Sequence, residues 1–145
     1  ELVSKYNAGI ILMHKQGEPQ SMQHRPSYEN VVEDVYHYLK NQVTLSKSYG
    51  IESIIIDPGI GFGKTLDHNI NLLKHIDRFK SIGCPILIGT SNKSFINDIY
   101  PAEVEERLPG SIASVLATYQ KGAHIFRVHN VKETIQAFKV FEAIQ

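Results

Sequence analysis

The sequence predicts an α/β fold of parallel βα units, the C-terminal half of a (β/α)8 barrel, and three observations carry that reading. Four short apolar runs, IILM, SIIID, ILIG and IFRV, begin near residues 10, 53, 86 and 124. They are continuous rather than alternating, as in strands buried on both faces. Each precedes a segment of helical period, and strands alternating with helices make a parallel sheet covered by helices. The strand starts lie 33 to 43 residues apart, a spacing suited to barrel units. A closed barrel needs eight strands and ~250 residues, whereas this chain has 145 residues. An open doubly wound sheet is the competing architecture.

The elements follow in order. The opening ELVSKYNAG reads as the last turns of a helix closed by Gly9, so the chain is expected to begin inside a preceding βα unit, with the first four units absent. After the first strand, Val32, Val35, Leu39 and Val43 form one helical stripe, with Ser27 as N-cap and Gly50 as C-terminal stop. After the second, Ile70, Leu73 and Ile76 repeat before Gly83. The third is followed by a polar excursion, TSNKSFINDIYPAEVEERLPG, and then by Ile112, Val115, Leu116 and Tyr119 ending at Gly122. After the fourth come Val131, Ile135, Phe138 and Ile144, opened by a capping box of Asn130 and Glu133. No linker or low-complexity tract divides the chain, so residues 1–145 read as one unit.

Composition narrows the function. The chain is 42% hydrophobic and 21% charged, the balance of a soluble globular protein. Basic and acidic residues number 15 each, which gives no field for nucleic acid. A small-molecule partner is therefore expected. Cys84 is the single cysteine, so a disulfide framework is excluded and a reducing compartment is expected. No apolar run reaches the length of a membrane span and no signal-peptide pattern is seen, which points to a cytoplasmic protein or an organelle matrix.

Chemistry in parallel α/β proteins gathers at the carboxyl ends of the strands. There stand Met13 and His14, then Asp57 with a glycine turn, then Gly89 to Ser94, then Arg127 and His129. The second of these, IIIDPGIGFGKT, comes within one residue of two phosphate motifs. Pro58 occupies the place of the first P-loop glycine and Lys64 that of the third dinucleotide-fold glycine. Three glycines in five residues let a backbone approach a flat ligand closely. Arg127 and His129 share one side of a strand, and a buried arginine needs a carboxylate or an anion. Ser91, Lys93 and Ser94 bring hydroxyl and ammonium donors beside Gly89. His24, His37, His68 and His75 are expected at the surface, Tyr36 and Tyr38 in helix packing, and the spacings give no protein-ligated transition metal.

Taken together, LMHKQGEPQSMQ, IIIDPGIGFGKT, LIGTSNKSF and IFRVHNVKET resemble, in order, spacing and strand context, the dihydropteroate synthase family of the folate pathway. The likeness runs over essentially the whole chain. It implies a pterin-binding (β/α)8 barrel that condenses 6-hydroxymethyl-7,8-dihydropterin pyrophosphate with p-aminobenzoate, releasing pyrophosphate, and that is a sulfonamide target. By resemblance, Asp57 accepts hydrogen bonds from the pterin, Lys93 donates to its acceptor side, and Met13, Phe62 and Gly89 line the slot. Ser94 meets p-aminobenzoate, while Arg127 and His129 hold the pyrophosphate. Lys93, Arg127 and His129 are the catalytic set so implied. Mg²⁺ is the implied cofactor, held by the pyrophosphate and by the absent N-terminal half rather than by residues of this chain.

Two departures from the family are expected to matter. Asn92 stands where the family usually has arginine, and the first four βα units, with their loops, are expected to be absent from these 145 residues. This chain alone is thus expected to be incomplete for catalysis, and to pair as a homodimer or with the missing half-barrel because open sheet edges associate. The alternatives are a pterin-binding methyltransferase, against which TSNKSF and RVH argue, and a non-catalytic half-barrel that binds pterin or phosphate.

Overall fold

The computed structural model describes residues 1–17 and 26–145. His24 and the end of the first motif, residues 18–23, lie outside the described residues. Helix α1 (Leu2–Lys5) leads into strand β1 (Ile10–Met13), followed by α2 (Val31–Ser48), β2 (Ile54–Asp57) and α3 (Leu66–Lys74). Then come β3 (Leu87–Ile88), α4 (Ser94–Ile99), α5 (Leu108–Gln120), β4 (Ile125–Phe126) and α6 (Val131–Ala143). The four runs expected to be strands are the strands. A 3-10 helix fills Ile76–Ile82 and a single 3-10 turn Val104–Glu106.

The strands are parallel and neighbour one another in chain order. β1 pairs with β2 from Ile10↔Ile54 to Met13↔Asp57, and β3 with β4 at Leu87↔Ile125 and Ile88↔Phe126. A single bridge, Ile56↔Ile86, joins the two pairs. All four carboxyl ends therefore open on the same side, as half of a (β/α)8 barrel requires. Behind them Val35, Leu39, Ile56, Leu72, Ile76, Phe79, Ile86 and Ile88 are fully buried. Val32, Val35, Leu39 and Val43 of the expected stripe are buried as read. In α3, however, the deepest residue is Leu72, with Ile70 and Leu73 half-buried beside it.

Several expected helix ends differ. α2 is capped by Asn30, whose Oδ1 accepts from the Val32 and Glu33 amides, while Ser27 is held instead by the Gln16 side chain. α1 is one turn long, and its left-handed residue is Asn7 at φ 48° rather than Gly9. Asn130 makes no side-chain cap at α6. The α6 stripe also differs: Val131, Ile135 and Ile144 are exposed, because the helix seats itself through Thr134 and through Phe138 and Phe141 against Tyr119. Among the described residues no helix is long and apolar enough to cross a membrane.

Candidate functional site

Asp57 ends β2 and is only 2% exposed. Its Oδ1 accepts from the Gly59 amide at 2.8 Å, and its Oδ2 lies 3.4 Å from Nη2 of Arg127, whose side chain is 57% exposed. The arginine expected to need a carboxylate thus has one, by a long contact that leaves most of the guanidinium free. Burial pushes the Asp57 carboxyl above the usual carboxylate range, opposed by the Gly59 N–H and then by the Lys93, Arg127 and Lys64 cations. A carboxylate with one strong internal donor keeps lone pairs for two more.

The glycine turn is built by close approach. Gly59, Gly61 and Gly63 all have φ between 65° and 82°. A Cβ on Gly59 would stand 1.8 Å from the His14 carbonyl oxygen, and one on Gly63 2.2 Å from that of Gln16. The turn therefore lies directly on the backbone that leaves β1. From the other side Lys93, just before α4, donates its Nζ to the Ile60 carbonyl and sits 4.7 Å from the centre of the Phe62 ring. Burial lowers the Lys93 ammonium to about 8, with Asp57 raising it and Arg127 lowering it.

The β3–β4 side is arranged differently. Gly89 has an ordinary φ, and a Cβ there would meet Nη2 of Arg127 at 3.1 Å, so the bare backbone makes room for the guanidinium. His129 is exposed and held through Ser91. The Ser91 Oγ accepts from the His129 amide at 3.3 Å and lies 2.9 Å from its Nδ1. Asn92 takes a left-handed φ of 58°, a conformation asparagine tolerates. Its amide donates to the Ser111 hydroxyl and its Oδ1 accepts from it, while its carbonyl accepts from Arg107. The residue in the arginine's place is thus turned toward α5.

Asp57, Lys93, Arg127, Phe62 and Gly89 share one mouth. Met13 pairs with Asp57 at its rim, His129 flanks Arg127 two residues on, and Ser94 is exposed at the start of α4. Among the other histidines, His37 and His75 are exposed as expected. His68 is half-buried, because its ring Nδ1 accepts from the Thr65 amide in a capping box. Tyr36 is buried in packing, while Tyr38 is 40% exposed and meets the His14 ring edge-on.

Sequence reasoning missed the interior partner of the turn. Lys64, read as a near-miss phosphate lysine, is buried and points inward. Its Nζ donates to Gly59 O at 2.9 Å and to Phe62 O at 3.0 Å, and lies 3.0 Å from Nδ1 of buried His14. Burial brings its ammonium down from 10.5 to about 7, and burial together with the Lys64 charge brings His14 from 6.5 to about 4. No local sequence signal marks it, since the deciding partner, His14, stands fifty positions earlier.

A family model described as pterin binding enzyme matches residues 1–129. The chain is 41% identical over 145 residues to the dihydropteroate synthase of Escherichia coli, covering 99% of this chain and 51% of that protein. Its structure is similar to that of Yersinia pestis dihydropteroate synthase in complex with a sulfonamide drug, with a TM-score of 0.93 and 36% identity over 97% of this chain and 52% of the other. It is similar also to the Thermus thermophilus enzyme in complex with 4-aminobenzoate, with a TM-score of 0.94 and 33% identity over 98% of this chain and 59% of the other. The chain spans about half the length of the curated relatives it matches.

Proposed function

The chain belongs to the pterin binding enzyme family, and from that membership we propose that it carries the pterin and pyrophosphate sites of a dihydropteroate synthase. The observation that carries the reading is Asp57, a buried carboxylate at a glycine turn with cations on its open side. Its free lone pairs suit the adjacent ring N–H and amino group of a pterin. Lys93 serves the acceptor edge, Met13, Phe62 and Gly89 form the slot, and Ser94 faces the arylamine. Arg127 and His129 bind the pyrophosphate.

In the proposed reaction the C–O bond of the pterin methylene breaks and pyrophosphate leaves with the electron pair. The p-aminobenzoate nitrogen then forms the new C–N bond and gives up a proton. No protein nucleophile is required. Arg127 and His129 stabilise charge as it gathers on the leaving oxygen, in the manner of fixed donors aimed at a developing anion. Among the described residues no three or more His, Cys, Asp or Glu side chains gather, and Mg²⁺ takes few protein ligands beside substrate phosphates and waters. Asp57 is engaged by an N–H and faces cations. The steps this chain performs do not pass through the ion, which we propose arrives on the pyrophosphate.

A cytoplasmic location, sulfonamide sensitivity and a homodimer belong to the same proposal, the last supported by the exposed Val131, Ile135 and Val140 of α6 and by Ile144 just after it. The test is turnover. The natural full-length protein, given both substrates and Mg²⁺, should release pyrophosphate and form dihydropteroate in equal amounts; binding of the pterin substrate with no C–N product would reduce the reading to a pterin-binding protein.

A further inference from the structure

The backbone groups of the glycine turn are held mainly by side chains, beside one backbone bond within it, Phe62 N–H to Gly59 O at 3.1 Å. Asp57 Oδ1 takes the Gly59 N–H and Asn69 Oδ1 the Gly61 N–H, while the Tyr28 hydroxyl donates to Gly63 O. Lys93 holds Ile60 O from the mouth. From the interior a single residue, Lys64, holds both Gly59 O and Phe62 O, and it is itself fixed by His14, the residue immediately after β1. We propose that Lys64, with His14 as its partner, is a positioning residue that sets the turn, and through it Asp57 and Phe62, in the geometry the heterocycle needs. The inference rests on the pterin reading.

The chemistry of the pair suits a brace. An ammonium has three N–H donors and finds three acceptors here: two carbonyls and His14 Nδ1, which fixes the histidine proton on Nε2. If Lys64 gives up a proton, its amine still donates to both carbonyls, and His14 can shift its proton to Nδ1 and donate to the amine lone pair. Either state satisfies every hydrogen bond. The brace therefore survives loss of its charge, unlike an ion pair.

The experiment uses the natural full-length protein and three variants: Lys64→Met, His14→Leu and His14→Asn, the last keeping an acceptor at the Nδ1 position. Calorimetry with a pterin analogue and, separately, with pyrophosphate is run beside amide exchange at Gly59 and Phe62. Lys64→Met and His14→Leu are expected to weaken pterin binding about tenfold, the effect of one charge-assisted hydrogen bond, and to leave pyrophosphate binding in place. Both should speed exchange at the two amides. His14→Asn should stay close to wild type in each respect. Unchanged pterin affinity in the first two variants would overturn the proposal, as would pterin and pyrophosphate binding falling together with the melting temperature, or His14→Asn behaving like His14→Leu. If Lys64→Met does not fold, the two His14 variants carry the test. A wild type that binds no pterin analogue sinks the pterin reading instead; the exchange rates then decide the brace, which stands if Lys64→Met and His14→Leu loosen the amides while His14→Asn does not, and falls otherwise.

Discussion

The two sides of the mouth are built to opposite rules. On the β1–β2 side the strands pair over four residues, Asp57 is buried, and the turn after it is tied from both faces by Lys64, Lys93, Asn69 and Tyr28. On the β3–β4 side the strands pair over two residues, and Arg127 and His129 stand exposed with one long ion pair and one serine contact. The first side suits a rigid, flat heterocycle, because recognition by a few buried hydrogen bonds rewards a site that does not reorganise. The second suits the anion proposed to arrive on the pterin and to leave free, since the exposed Arg127 guanidinium binds it without being stranded in its absence. A buried unpaired charge would be costly.

The largest way to break this contrast is to add one methyl group to the braced side. Gly59→Ala would press a Cβ into the His14 carbonyl and force a left-handed backbone on alanine. Strain at such a φ costs roughly 1–3 kcal/mol by itself, and the backbone overlap adds to it. Thermal unfolding should show a loss above ~3 kcal/mol, among the largest that single substitutions give. A near-native melting temperature would mean the turn does not rest on β1.

The next effect is read through pH. His14 stays neutral in the fold down to about pH 4, whereas an unfolded histidine takes its proton near 6.5. The unfolded state thus binds more protons between these values, so stability rises with pH across that window. The contribution is complete above about pH 6.5 and is lost as pH falls to about 4, on the order of 2–3 kcal/mol. His14→Asn should lack this acid-side loss. Denaturant titrations at several pH values compare the two proteins, and parallel curves would show that His14 titrates freely.

The smallest stability effect is expected on the loose side. Gly89 has no strained φ, and its added Cβ would meet only the far end of a flexible arginine. Gly89→Ala should change stability by less than ~1 kcal/mol while pushing the Arg127 guanidinium from its seat and weakening pyrophosphate binding. A large drop in melting temperature without any change in anion affinity would reverse the roles assigned to the two sides.

How much of this was legible follows the same divide. The convergence of Asp57, Lys93, Arg127 and His129 at one end of the sheet could be read because apolar strands are visible as runs, and the residues ending parallel strands must converge. Lys64 could not. Whether a lysine after a glycine turn faces a ligand or the interior depends on a histidine fifty positions away in sequence, a contact that local pattern does not encode. Ser27 was misread as the α2 cap because the stretch offers several capping side chains: the helix starts at Val31, after Asn30, and Gln16 holds the Ser27 backbone outside it. In α6 Phe138 of the expected stripe packs inward on Tyr119, whereas Val131, Ile135 and Ile144 face out, because that aromatic packing fixes the helix rotation.

The division of labour between the two sides is tested most directly by titrating Asp57→Asn, in the natural full-length protein, with a pterin analogue and with pyrophosphate. The substitution keeps the shape and replaces one acceptor oxygen with a donor that faces donors, an unsatisfied buried contact costing about 1–3 kcal/mol. Pterin affinity should fall by that amount or more while pyrophosphate affinity, proposed to rest on Arg127 and His129, should change little. Pterin binding that survives intact, or a loss shared equally by both ligands, would contradict the account.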